Sequence, residues 1–219
     1  MMPELMNPQV KSTYSFRRGQ TIPKLFEDFW QVERGLLQLQ TQNTQGQVIV
    51  LGWLQEGSFW GEALTKLSNI EAIALCDCSV YRIAPQTIQS SDSLKQLFLN
   101  QAVHRLHQTE YLLAITGLRP IEERLIKLLL FLKEELGQPD GENIRIRCRF
   151  THKNLADAIG TTRVTVTRLF KDFQDKSWLF FDEDRHLIIT NIFPTEQSII
   201  KSINHHVAGD KHLSNRLHR

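Results

Sequence analysis

Thr151-His-Lys-Asn-Leu-Ala-Asp-Ala-Ile-Gly-Thr-Thr-Arg-Val-Thr-Val-Thr-Arg-Leu-Phe-Lys171 holds two short helical periods separated by one glycine. Leu155, Ala156 and Ile159 are spaced as the apolar face of a first helix. Gly160 can take the left-handed conformation that ends such a helix in a sharp turn. Thr161 or Thr162 then offers a hydroxyl to cap a second helix. In that helix Val166, Leu169, Phe170 and Phe173 fall at i, i+3, i+4 and i+7 and face inward. Ala156 is small enough to let the two helices approach closely. Arg163, Val164, Thr167, Arg168 and Lys171 form the opposite face, with three cations, no anion and short side chains between them. An ordinary solvated face gains from mixed signs at i, i+4. This one is shaped for phosphates and for base edges in a DNA major groove.

The flanks extend the pattern. Trp178-Leu-Phe-Phe181, Asp182-Glu-Asp-Arg185 and His186-Leu-Ile-Ile-Thr190 read as strand, turn and strand, a wing behind the helix-turn-helix. The turn is acidic where a wing on DNA would gain from cations. Upstream, Asn143-Ile-Arg-Ile-Arg-Cys-Arg149 alternates as a strand, with Ile144, Ile146 and Cys148 on one face. Gly137, Pro139 and Gly141 break the chain before it. A helix is expected from Pro120 to about Leu136, burying Ile121, Leu125, Leu128, Leu129 and Leu132. Its proline sits at the start, and Glu122 and Glu123 lie at the positive end of its dipole.

Between about residue 92 and Gly117 the period is that of one long helix. Leu99, Val103, Leu106, Glu110 and Leu113 recur at alternating steps of four and three, the spacing of a coiled-coil seam in which a polar interruption can fix register. Packing of this stripe on the chain's own strands is the alternative. Before residue 92 the sequence reads as short strands with turns between them. They include Phe29–Gly35, Leu36–Thr41, Val48–Trp53, Ile73–Leu75 and Ser79–Ile83, and they suggest a compact β-barrel or roll. The expected division is 1–91 for the roll, 92–118 for the long helix and 119–219 for the winged helix-turn-helix, an α+β chain. The last segment, from Thr195, reads as a short helix and a basic end.

Composition narrows the function classes. The 219 residues are 41% apolar and 23% charged, and the net charge is only +2, so bulk charge predicts no partner. Residues 141–219 carry 13 Lys and Arg against 9 Asp and Glu, an excess in the direction a DNA-binding half requires. No run reaches the roughly 18 apolar residues of a membrane span. The start, MMPELMNPQVK, lacks the basic and apolar regions of a signal peptide. Cys76, Cys78 and Cys148 form no CxxC and read as reduced thiols in a cytoplasmic protein. Cys76 and Cys78 could face one way along a strand as a redox pair, but core thiols are the simpler reading. His104 and His107 sit one turn apart without the further ligands a metal site needs. No nucleophile–base pair or phosphate-cradling glycine loop is present, so an enzyme is not expected.

These features together resemble the CRP/FNR superfamily of bacterial transcription regulators over nearly the full length. The resemblance rests on Phe16-Arg-Arg-Gly-Gln-Thr-Ile22, on Glu56-Gly-Ser-Phe-Trp-Gly-Glu62 and on the helix-turn-helix. Leu106-His-Gln-Thr-Glu110 and Ala158–Leu169 are most similar to the cyanobacterial global nitrogen regulators, from which the chain departs in the roll. The resemblance implies a cyclic-nucleotide-binding-like roll, a homodimer joined through the long helix, and double-stranded DNA with a palindromic site as partner. RNA polymerase is a further implied partner, and the implied role is an activator of nutrient-responsive genes, for nitrogen or sulfur. The implied DNA-binding set is Thr151, His152, Lys153, Thr162, Arg163, Val164, Thr165, Thr167, Arg168 and Lys171. Arg163 is the position expected to read guanine O6 and N7. Val164 stands where cyclic-AMP receptors carry a glutamate, so the half-site is expected to be GTA rather than GTGA.

The implied effector pocket centres on Trp60, Gly61 and Glu62, with Arg119 matching an arginine of the nitrogen regulators. Cyclic AMP is not expected, because no arginine occurs between Glu62 and Arg82 to neutralise its phosphate. An iron–sulfur cluster is not expected either, because only three cysteines exist. A dicarboxylate ligand such as 2-oxoglutarate and an effector-independent roll filled by side chains such as Trp60 both stay open.

Overall fold

A computed structural model describes residues 12–195; the start of the chain and the expected tail helix and basic end lie outside them. Two compact units divide between Tyr111 and Leu112.

In the first unit, eight strands form two antiparallel sheets. β1 (Thr13–Phe16), β8 (Cys78–Ile83), β3 (Phe29–Arg34) and β6 (Phe59–Trp60) follow in that order in one. The other has the order β2 (Thr21–Ile22), β7 (Glu71–Ala74), β4 (Leu37–Gln42) and β5 (Val48–Leu54). Inward-facing Trp30, Val32 and Val80 of the first sheet share a core with Ile22, Leu37, Leu39, Leu54 and Ala72 of the second, and Trp60 is buried among them. This is the roll that the alternating runs predict. The two-residue strands and a short helix α1 (Pro85–Gln89) are additions, since so few residues carry no readable period.

The long helix α2 runs from Asp92 to Thr116. Its Leu94, Leu97 and Phe98 pack against Phe29, Phe59, Ile83 and Ile88. Polar contacts also tie it to the roll: buried Gln108 accepts the Trp53 backbone N–H at 2.9 Å, and the Thr109 hydroxyl donates to the Leu51 carbonyl at 3.0 Å. The stripe points elsewhere. Leu99, Val103, Leu106 and Leu113 are 43–72% exposed, and Glu110 is exposed with them.

In the second unit, α3 (Ile121–Leu136) buries Leu125, Leu128, Leu129 and Leu132 as its spacing predicts, while Ile121 is only half-buried. Ile126, Phe131 and Leu136 are buried too, because the helix is covered both by α4 (His152–Ile159) and by a hairpin. That hairpin corrects the reading of Gly137–Gly141 as a simple break. Gly137–Asp140 is a strand, β9, paired antiparallel with β10 (Asn143–Ile146). Proline is tolerated there because β9 is an edge strand. The sheet continues through β12 (Leu187–Ile189) to β11 (Leu179–Phe181). β10 is shorter than the expected 143–149, although Cys148 is still buried. No helix among the described residues is long and apolar enough to cross a membrane.

Candidate nucleic-acid interface

The helix-turn-helix is built from local hydrogen bonds that the sequence supplies. Thr151 caps α4: its hydroxyl accepts the Asn154 N–H at 3.1 Å, and Asn154 Oδ1 accepts the Thr151 N–H at 3.0 Å. Such a reciprocal cap satisfies two donors that the first helical turn leaves unpaired. Gly160 ends α4 at φ +65°, the left-handed region where a side chain would be strained. Of the two candidate caps it is Thr162 that starts α5 (Arg163–Asp175), accepting the Thr165 N–H at 3.1 Å. Val166, Leu169, Phe170 and Phe173 are buried, as their spacing predicts.

The outward face of α5 collects most of the predicted contact residues. Arg163, Val164, Thr167, Arg168 and Lys171 are all exposed, Val164 at 78%. Among the described residues none of the three cations makes an ion pair. A bare valine between two unpaired cations suits a surface that meets both phosphates and a thymine methyl. Thr162 and Thr165 serve the helix cap, and their hydroxyl oxygens lie 2.9 Å apart. Lys153 is paired with Asp157 one turn on, at 2.7 Å. Thr151, His152, Lys153 and Arg163 line one surface concavity of about 340 Å³.

His152 has a second role that spacing could not reveal. Its Nδ1 lies 2.8 Å from Thr167 Oγ1, and its ring packs on Phe170 with centroids 4.6 Å apart. The imidazole therefore braces the recognition helix. Burial, and then repulsion from Arg163, hold its pKa below the ordinary value. Arg124 is another brace that the sequence did not mark: Nε donates to the Leu118 carbonyl at 2.6 Å and Nη1 to the Ile159 carbonyl at 3.1 Å. No local pattern singled it out, because α3 also carries Lys127 and Lys133.

The acidic wing turn is explained by a clamp. Asp182 Oδ1 accepts the His186 backbone N–H at 2.7 Å, and Oδ2 accepts Arg145 Nε at 2.7 Å. Arg145 Nη2 lies 2.5 Å from His186 Nδ1, so a neutral imidazole accepts from it. Desolvation acts to raise the Asp182 pKa, but hydrogen bonds from Arg145 and the His186 backbone outweigh it and hold the carboxyl low. Burial, then Arg145, push the His186 pKa below the ordinary 6.5. The unfolded chain thus takes up this proton first. The stability contributed is present above the unfolded pKa and falls as acid is added through the folded one. The unfolding midpoint is expected to drop between pH 7 and about pH 5. His186→Gln, which can still accept from Arg145, should drop less, although His152 contributes in the same direction. Equal pH slopes in thermal melts of the two proteins would exclude His186 as a source.

Of the residues proposed for the effector pocket, three lie in the first unit and one in the second. Trp60 is fully buried in the roll core. Gly61 is glycine for a packing reason: a Cβ there would lie 2.8 Å from the Phe29 ring and 2.9 Å from the Asp28 carbonyl oxygen. Glu62 opens a short 3-10 turn and is half-buried. Arg119 is exposed in the connection after α2, in the second unit. Cys78 is a core thiol whose pKa burial pushes up to about 11, which leaves no thiolate for redox chemistry near neutrality. His104 Nε2 lies 3.0 Å from Gln108 Nε2, a partner within its own helix.

Comparison with known proteins agrees with this arrangement. Residues 123–192 match the Crp-like helix-turn-helix domain. The chain is 33% identical over 176 residues to the regulatory protein CysR of Synechococcus elongatus, covering 79% of this chain and 81% of that one. It is 26% identical to the global nitrogen regulator of the same organism, covering 83% and 87%. Among solved structures, a CRP/FNR-family transcriptional regulator from Thermus thermophilus superposes with a TM-score of 0.64 at 21% identity, over 81% of this chain and 93% of that one. FixK2 from Bradyrhizobium japonicum superposes with a TM-score of 0.67 at 18% identity, over 82% and 92%.

Proposed function

Because the chain belongs to the CRP/FNR family of transcription regulators, we propose that it acts as a homodimer on palindromic DNA and controls nutrient-responsive genes, for nitrogen or sulfur supply. The observation that carries this reading is the outward face of α5, where three cations that make no ion pair among the described residues accompany an exposed valine. Arg163 is assigned to guanine, Val164 to a thymine methyl, and Arg168 and Lys171 to phosphate or base contact. Thr151, His152 and Lys153 approach the backbone from the start of α4. The stripe on α2 is assigned to the dimer seam, and its exposure in the single chain supports that assignment. RNA polymerase is the partner through which it would act as an activator. The relatives named as nitrogen regulators support a nutrient response.

The test is titration onto palindromic duplexes with GTA and GTGA half-sites at two salt concentrations. Arg163→Ala should weaken binding to the preferred duplex by about 1–3 kcal/mol and relax its sequence preference. Lys171→Ala should weaken both duplexes alike and lower the salt slope by about one. Unchanged operator affinity in the arginine variant would refute the assignment.

Trp60 favours a second feature of the reading, that the roll interior takes no effector. Its indole is buried among aliphatic side chains of both sheets. Neither 2-oxoglutarate nor cyclic AMP should therefore change operator affinity.

A further inference from the structure

His152 Nδ1 lies 2.8 Å from Thr167 Oγ1, and that hydroxyl lies 2.9 Å from the Arg163 carbonyl oxygen. Two bare oxygens so close would repel, so the single hydroxyl proton of Thr167 lies on the carbonyl, the usual back-bond of a threonine within a helix. Its oxygen can then only accept from the imidazole, which fixes the ring proton at Nδ1. Nε2, across the ring, is left as a bare lone pair. His152 makes no other hydrogen bond among the described residues. The half-buried ring lines the concavity that Thr151, Lys153 and Arg163 complete, where α4 and α5 start. The elements packed on the ring are α5 and β11, which bring Phe170 and Phe181 against it. Arg163 is the one charged group that acts on it, and Lys153, beside it on α4, is paired with Asp157. Among the described residues no carboxylate acts on the ring to hold a second proton there.

We propose that this concavity seats a DNA phosphate only with His152 Nε2 protonated, so that operator binding takes up a proton at each His152. Phosphate oxygens are acceptors with no hydrogen to give, and against a bare Nε2 two lone pairs would face each other. Once protonated, Nε2 donates a charge-assisted hydrogen bond and the ring adds a cation beside Arg163. The Nδ1–H keeps its bond to Thr167 in both states, so the recognition helix stays braced and only the charge changes. In the protein without DNA, burial and then Arg163 keep the ring neutral near pH 7. A phosphate seated there offsets that repulsion and favours the cation. Proton uptake and DNA binding therefore reinforce each other, and affinity rises as pH falls. A cytosine or adenine amino group could instead donate to the neutral Nε2, but the first helix of a helix-turn-helix crosses the phosphate backbone. This inference rests on the DNA-binding reading.

The experiment titrates the full chain, His152→Gln and His186→Gln onto the preferred palindromic duplex between about pH 8 and pH 6, at constant ionic strength. Over that range the unsubstituted dimer should gain about 10–100-fold in affinity. His152→Gln keeps a neutral donor at this place that needs no added proton, and should change by less than about threefold. His186→Gln should keep the gain, since its imidazole belongs to the wing clamp. Calorimetry of the unsubstituted protein near about pH 6.5, in two buffers of different ionisation enthalpy, should count about 0.5–1 proton taken up per subunit. If His152→Gln does not fold, that proton count decides alone. Equal gains in the unsubstituted protein and His152→Gln, loss of the gain in His186→Gln, or no proton uptake would overturn the proposal and leave the DNA-binding reading standing. Absence of operator binding by the unsubstituted protein at every pH would overturn both.

Discussion

Trp60→Ala is expected to lower the unfolding free energy of the first unit by about 3–5 kcal/mol, the range for truncating a large buried aromatic. Trp60 is the largest of the side chains that are fully buried, and it packs against residues of both sheets. Removing it leaves a hole between sheets that cannot both move inward. Its indole N–H has no hydrogen-bond partner among the described residues, so part of the native contribution is already offset by an unsatisfied donor. Trp60→Phe discards that donor and keeps much of the packing, and should stay within about 1.5 kcal/mol of the unsubstituted protein. Denaturant titration of the three proteins provides the comparison. A loss below about 1 kcal/mol for the alanine variant would mean that the indole lines a space rather than filling it.

The second large effect is expected at the stripe. Val103→Glu puts a charge beside Leu99 and Leu106, where Glu110 already supplies one. If two copies meet along this surface, the variant buries like charges and the copies separate. Sedimentation should then show monomers at micromolar protein. Operator affinity should fall by about 10²–10⁴-fold, because each half-site is bound without the effective concentration that linkage provides. Val103→Leu keeps the surface apolar and should behave like the unsubstituted protein. A Val103→Glu protein that remains dimeric with undiminished affinity would move the seam elsewhere.

Those two sites differ in how plainly the sequence announced them. The stripe was legible because its steps of four and three are a property of the chain itself. So was the helix-turn-helix, where Gly160 and Thr162 punctuate two periods and the buried residues are those the spacing picks out. The strand at Gly137–Asp140 was hidden because glycine and proline signal breaks, and only its place at a sheet edge makes them acceptable. Asp182 looked like a misplaced acid in a wing. Its partner Arg145 lies 37 residues away, and nothing local links them. The same holds for His152, whose ring meets Phe170 and Phe181 only after two helices and a strand assemble.

One helix belonging to both units has a consequence for how such proteins can be rebuilt. The units part between Tyr111 and Leu112, in the interior of α2, so a chimera cannot be cut at a loop and must splice two pieces of helix in phase. A single residue inserted there rotates everything beyond it by about 100° and carries Leu113 out of line with Leu106. Seven inserted residues restore the alignment to within about 20°. Length changes at this junction are therefore tolerated by angle rather than by size, and a long insertion can be milder than a short one.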